Sequence, residues 1–454
     1  MTRIACAALC AILGPRMALA HASEGGFVLL LPTDAYIAAG VATVLLTVVL
    51  LIVVPDRASA ALFRPLALGR LPHIRWTMAT SGLSALILAG LVAVGLFGSR
   101  DPLENPLSLT IWTVWWVGLV LVQGLVGDIW RGINPWIGPG WAMRRITGRR
   151  APLRYPRALG HLPGIVAFLA FAGFLLADPA PADPARLAVI VGLYSLVTLA
   201  GLALFGPVWL VRAEAVTILM RAYGRLAVLG RHRGRLALGL PGWKLAARPG
   251  VPLGLGLFML LMLGSGSFDG LNETFWWFAR LGLNPLEFPG RSAVVGANLA
   301  GLVLANAALV AVFVLATWTG LRLAGGGVPL VRALRVFAPA ILPIALGYHL
   351  AHYLIVLLVD GQYVLALALE ALGHGHRHVT TGFLNRADSV RILWLTQAGA
   401  VVLGHVVAIL LAHELGLRLF GQRRRAVLSQ APLAAFMVGY TFFGLWLLAS
   451  PRGV

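Results

Sequence analysis

From residue 34 to residue 449 the chain repeats one pattern, an apolar run near twenty residues long followed by a short polar or basic loop. A hydrocarbon layer roughly 30 Å thick is crossed by about 20 helical residues, and backbone amides inside it must be satisfied within the segment itself. Helix is therefore the form these runs must take. The candidate spans are 34–54, 78–98, 107–128, 162–178, 187–206, 251–268, 292–316, 337–359, 391–413 and 431–449. They predict an all-α polytopic membrane bundle of about ten transmembrane helices, forming one domain over residues 21–454. Only 11% of residues are charged and 59% are hydrophobic, against about 25% charged in a soluble domain. Apolar surface on that scale needs a lipid bilayer as its partner.

Residues 1–20 read as a secretory signal. Arg3 gives the charged start, Ile4 to Leu13 the apolar core, and Ala18-Leu19-Ala20 the small-x-small cleavage site. Cleavage there makes His21 the new N-terminus. Cys6 and Cys10, the only cysteines, leave with the signal, so disulfides and thiolate metal sites are not expected.

Orientation follows from where the basic residues fall. With His21 outside, the inner loops hold 26 arginines and lysines and the outer loops 8, while the acidic residues divide 4 inside and 12 outside. Both termini of the mature chain are then extracytoplasmic. The same asymmetry accounts for the net charge of +20 without nucleic acid, since basic loops face the cytoplasm and anionic lipid. The longest inner segment, 207–250, is expected to be an amphipathic surface helix or a solvated basic loop.

Ionisable groups inside the runs are the candidates for function, because hydrocarbon makes them costly. Gly347-Tyr348-His349-Leu350-Ala351-His352-Tyr353 places two imidazoles three residues apart on one helical face, with His349 roughly 18 Å into its span. The next run carries His405 at a comparable depth, and His413 near its inner end. Two consecutive antiparallel runs allow His349, His352 and His405 to share one ion, and His21 offers an amine and a ring nitrogen as a further chelating pair. Zinc, copper, iron or haem iron suit such donors. The alternative is core histidines bonded to hydroxyls and carbonyls. Asp360, beyond His352, is a candidate base or orienting carboxylate. So is Asp269, four residues before Glu273 in Phe268-Asp269-Gly270-Leu271-Asn272-Glu273, where one helical turn aligns the two carboxylates. His374-Gly375-His376-Arg377-His378 is a weaker metal collector or a solvated tip. Gln123 and Asp128 close the third run, with Asp128 expected to pair with a nearby arginine. No P-loop, dinucleotide-binding glycine pattern, nucleophile elbow or HExxH occurs in a fitting context.

Several stretches in this order resemble a group of bacterial polytopic membrane proteins known as fenitrothion hydrolase. They are Ala20-His21 with Leu30-Leu31-Pro32; Asp128-Ile129-Trp130 with Ile133-Asn134-Pro135-Trp136; Phe268-Asp269-Gly270; Tyr348-His349-Leu350-Ala351-His352-Tyr353; and Gln397 with Gly404-His405-Val406 and Ala412-His413. The chain departs from the group at Ala22, where glycine is usual, and at Asp128, where asparagine is usual. The resemblance implies a bacterial inner-membrane protein that hydrolyses organophosphate triesters. The expectation is a metal-assisted hydrolase of small apolar esters, with a divalent ion, Zn or Cu, on His349, His352, His405 and His21, and Asp360 or Asp269 as base. The other expectations are a copper- or haem-handling protein of transport or assembly, and a scaffold subunit.

Overall fold

A backbone with no water to bond satisfies its amides along its own axis, and the apolar runs do so as helices. The computed structural model describes residues 28, 30–69, 77–148, 151–287, 290–375 and 378–452. The signal, His21 and His376 lie outside them. In chain order the elements that matter here are α1 (Thr33–Val53), β1 (Leu66–Gly69), α2 (Thr77–Phe97), α3 (Pro106–Leu125), α4 (Leu162–Ala177), α5 (Pro184–Phe205), α6 (Ala215–Gly224), β2 (Leu229–His232), β3 (Arg235–Leu238) and α7 (Trp243–Ala247). They continue with α8 (Leu253–Asn272), α9 (Val295–Leu323), α10 (Leu342–Ala371), α11 (Ala387–Phe420) and α12 (Arg423–Ala449).

Among the described residues nine helices are long and apolar enough to cross a membrane, and the chain is a multi-pass, all-α membrane protein. Each coincides with an expected run. The remaining run, α4, is apolar but 16 residues long, or about 24 Å. Leucines and valines on the outward faces of α1, α2 and α5 stay exposed, Leu86 and Leu196 among them. Lipid is the solvent that such faces require.

α10 lies at the centre. It crosses α11 through two facing glycines. The α-carbon of Gly347 lies against the Ala400 carbonyl, and a Cβ on Gly404 would stand 2.6 Å from the Pro343 carbonyl oxygen. Small residues allow this close backbone approach between apolar helices, where lipid gives no hydrophobic drive to associate.

The segment 207–250 takes neither of its expected forms. Eight of the ten residues of α6 are buried. Its N-cap, Glu214, accepts from the amides of Val216 and Thr217 and from the Tyr194 hydroxyl. Tyr194 stands eleven residues before the end of α5, so α6 begins roughly 16 Å inside the bundle. From there it descends to the β2–β3 hairpin, which pairs antiparallel with β1 in the order β1-β3-β2. The sheet-side end of α6 is held by Lys244 of α7, whose Nζ donates to the carbonyls of Gly224 (2.5 Å) and Leu229 (2.9 Å). The arginine spacing hid a re-entrant helix. Its apolar residues meet protein rather than lipid, and Arg221 is its one exposed residue.

α8 starts beside the sheet end, where Val251 donates to the Arg335 carbonyl, and finishes at the opposite end. There Glu273 and Thr274 meet the C-terminal residues: Phe275 N–H donates to the Pro451 carbonyl at 2.9 Å and Arg452 pairs with Glu273 at 3.6 Å.

Candidate functional site

Near that far end, α8 and α10 bring together three side chains of the types that can ligate a metal. Asp269 stands in the last turn of α8, and Glu273 follows it by four residues, so one helical turn stacks the carboxylates. His352 comes across from α10. One donor atom from each of Asp269, Glu273 and His352 lies within 4.8 Å of the others, and among the described residues no further group of three or more such side chains forms. Nε2 of His352 is 3.2 Å from Oδ2 of Asp269, and the same oxygen accepts the Tyr353 hydroxyl. The side chains of His352 and Asp269 are only 6% and 10% exposed. Nδ1 of His352 is buried without a partner among the described residues, as is the Tyr348 hydroxyl. A neutral imidazole carries its proton on one ring nitrogen only: on Nε2 it bonds Asp269 and leaves a lone pair on Nδ1, and on Nδ1 it leaves a lone pair on Nε2 facing the carboxylate.

The residues around the group explain the local sequence. Gly270 has no side chain because the Tyr348 hydroxyl lies against its α-carbon. The Tyr348 ring stacks on His352 with centroids 5.8 Å apart and planes 13° apart. His349, one turn before Tyr353, donates Nε2–H to the Trp116 carbonyl at 2.8 Å. Trp116 belongs to Thr110–Leu119, the π-helical middle of α3. Such segments concentrate at functional sites because the wider turn displaces backbone groups from the regular ladder. A cavity of about 40 Å³ opens between these helices, lined by Asp269, His352, Tyr353, His349 and Trp116 above and by Leu219 and Tyr223 of α6 below.

The other expected site residues fall elsewhere. His349 lines the cavity but faces α3, outside the ligating group. His405 is buried on α11; its Nδ1–H returns to the Val401 carbonyl at 2.9 Å, and its ring looks toward Tyr440 of α12, centroids 6.4 Å apart. The shared ion expected of His349, His352 and His405 therefore has no common face to bind: the three rings point at three different helices. Asp360 is two turns beyond His352 on α10, about 12 Å along the axis, and does not line the cavity. Asp128 accepts from Gln123 at 2.8 Å. Glu273 beside His352, and Tyr353 as the donor to the Asp269 carboxylate, add to the expected site residues. The four-residue spacing from Asp269 was the available signal for Glu273.

No protein-family model, curated protein or solved structure matches the chain.

Proposed function

We propose that the chain is a membrane-embedded, metal-assisted hydrolase of small apolar esters, and that Asp269, Glu273 and His352 hold one divalent ion. The observation that carries the reading is the buried His352–Asp269 pair on the cavity wall, with Glu273 offering a donor atom within 4.8 Å of both. A spacing of 3.2 Å between two donors is what ligands about 2.0 Å from one metal adopt at the tetrahedral angle. Two carboxylates and an imidazole, without thiolate, suit zinc. Three protein ligands leave a coordination position open, and an ion there would acidify a water and polarise a carbonyl or phosphoryl oxygen. Tyr353 would hold Asp269 in place from behind. Trp116, Phe171 and Tyr348 offer the apolar walls that an ester reaching the site through lipid needs.

Counting α4, the bundle makes ten crossings after a cleaved signal. The excess of basic residues in the sheet-end loops supports a cytoplasmic sheet end, with the proposed ion site in the outer half of a bacterial inner membrane. The resemblance to the fenitrothion hydrolase group points to phosphotriesters as the substrate class.

The cavity volume favours a second reading, metal handling without hydrolysis. About 40 Å³ holds an ion with a few waters, whereas a triester requires the aromatic walls to part. One experiment separates the two. Purified full-length protein is assayed for bound metal and for turnover of aryl phosphotriesters and carboxylic aryl esters, alongside His352→Gln. Metal-dependent turnover lost in His352→Gln supports the hydrolase. Bound ion with no turnover supports handling, and a Soret band identifies haem as the cargo. No bound ion contradicts both.

A further inference from the structure

One cation faces Asp269, Glu273 and His352 from outside their helices. Arg452 belongs to the short segment that follows α12, and its Nη1 stands 3.6 Å from Oε2 of Glu273. Among the described residues no other lysine or arginine pairs with any of the three. The backbone holds Arg452 in place. The chain leaves α12 at Ser450 in an extended conformation, and Arg452 forms an antiparallel bridge with Thr274. The Phe275 amide donates to the Pro451 carbonyl at 2.9 Å, and the Trp276 ring meets Trp446 of α12 edge-on, centroids 6.3 Å apart. Thr274 is a firm anchor for this segment. It is completely buried, its hydroxyl donates to the Leu271 carbonyl at 2.7 Å, and the same oxygen accepts the Trp277 amide at 3.2 Å. The ion pair itself is looser. The side chains of Arg452 and Glu273 are 33% and 45% exposed, so water can take the place of either partner.

We propose that Arg452 is a built-in competitor for the divalent ion, and that residues 450–452 form a strap that loosens as the ion enters. The inference rests on the ion site proposed above and concerns its regulation. Both cations need the same carboxylate. An ion about 2.0 Å from a Glu273 oxygen and a guanidinium against the same group stand close enough to repel. Arg452 also cancels one of the two carboxylate charges that draw the ion in. Coordination replaces the ion pair at Glu273, and Arg452 turns to water, which its partly exposed position allows. The effect is mutual: the factor by which Arg452 weakens ion binding is the factor by which the ion weakens the hold of the strap on Thr274 and Phe275. An ion pair this exposed is a weak one, so the factor is about two to five.

The test is the zinc affinity of the full chain in detergent, measured by competition with a chelating dye for the wild type, Arg452→Gln and Arg452→Lys. Arg452→Gln is expected to bind zinc about two- to fivefold tighter, and Arg452→Lys, which keeps the charge, to stay near the wild type. The gap between Arg452→Gln and the wild type should narrow at about 1 M salt, where charges are screened beyond roughly 3 Å. Hydrogen exchange on the wild type alone gives a second readout: zinc should speed exchange of the Phe275 amide, which the strap protects. Equal affinity in the wild type and Arg452→Gln, or a Phe275 amide that zinc leaves unchanged or protects, overturns the strap and leaves the ion site standing. A wild type that takes up no zinc overturns both.

Discussion

Oδ2 of Asp269 lies 3.2 Å from Nε2 of His352 and takes the Tyr353 hydroxyl as well, so two helices, α8 and α10, are joined by one buried carboxylate. Removing one partner of a buried hydrogen-bonded pair strands the other, at a cost of about 1–3 kcal/mol. His352→Ala should therefore unfold earlier than wild type in detergent, and Asp269→Asn in the same chain should recover part of that loss. A coupling of about 0.5–3 kcal/mol between the two substitutions is expected from thermal unfolding of the four proteins. Strict additivity would show that the pair does not act as a unit.

Gly270 is a packing requirement of Tyr348. A methyl group at Gly270 collides with the tyrosine hydroxyl, and overpacking of this kind costs about 1–3 kcal/mol. Gly270→Ala should lower the melting temperature, and adding Tyr348→Phe should restore much of it, since the colliding atom is then gone.

The re-entrant helix depends on a few hydrogen bonds. The Thr217 hydroxyl meets the Trp130 indole at 3.2 Å and the Asn134 amide at 2.9 Å. Thr217→Val keeps the shape but leaves both donors unpaired, at about 1–3 kcal/mol each. Limited proteolysis or hydrogen exchange should show residues 207–250 opening before the spanning helices do.

Much of this architecture was readable in the hydropathy. Every expected apolar run became a helix, because lipid allows no other backbone form. Helices α10 and α11 continue well past the expected limits, to Ala371 and back to Ala387, since a helix has no reason to stop where the hydrocarbon does. The site was half readable. Asp269 with Glu273 follows from a four-residue spacing. The histidine cluster does not: residues three apart differ by about 60° around a helix axis, enough to send His349 to Trp116 and His352 to Asp269. Which neighbour a ring meets depends on helix packing, and apolar periodicity is nearly silent about packing when lipid and protein interior are equally apolar. The fold of 207–250 was hidden for the same reason.

Lys244, the only lysine in the chain, makes stability depend on pH. Burial lowers its pKa to about 8, against the Asp128 carboxylate, which raises it. An unfolded lysine titrates near 10.4, so between about pH 8 and 10 the unfolded chain binds more protons and folding is favoured by rising pH. The melting temperature of the wild type relative to Lys244→Met should therefore rise across that window. A constant difference would remove the shift from the account.

The most direct test is metal content. Full-length protein is stripped with chelator, reloaded with zinc and measured by mass spectrometry beside His352→Gln and Glu273→Gln. The account predicts one ion per chain in the wild type, and loss in both variants while His405→Gln keeps it. A wild type that takes up no ion, or variants that retain it, would contradict the proposed centre.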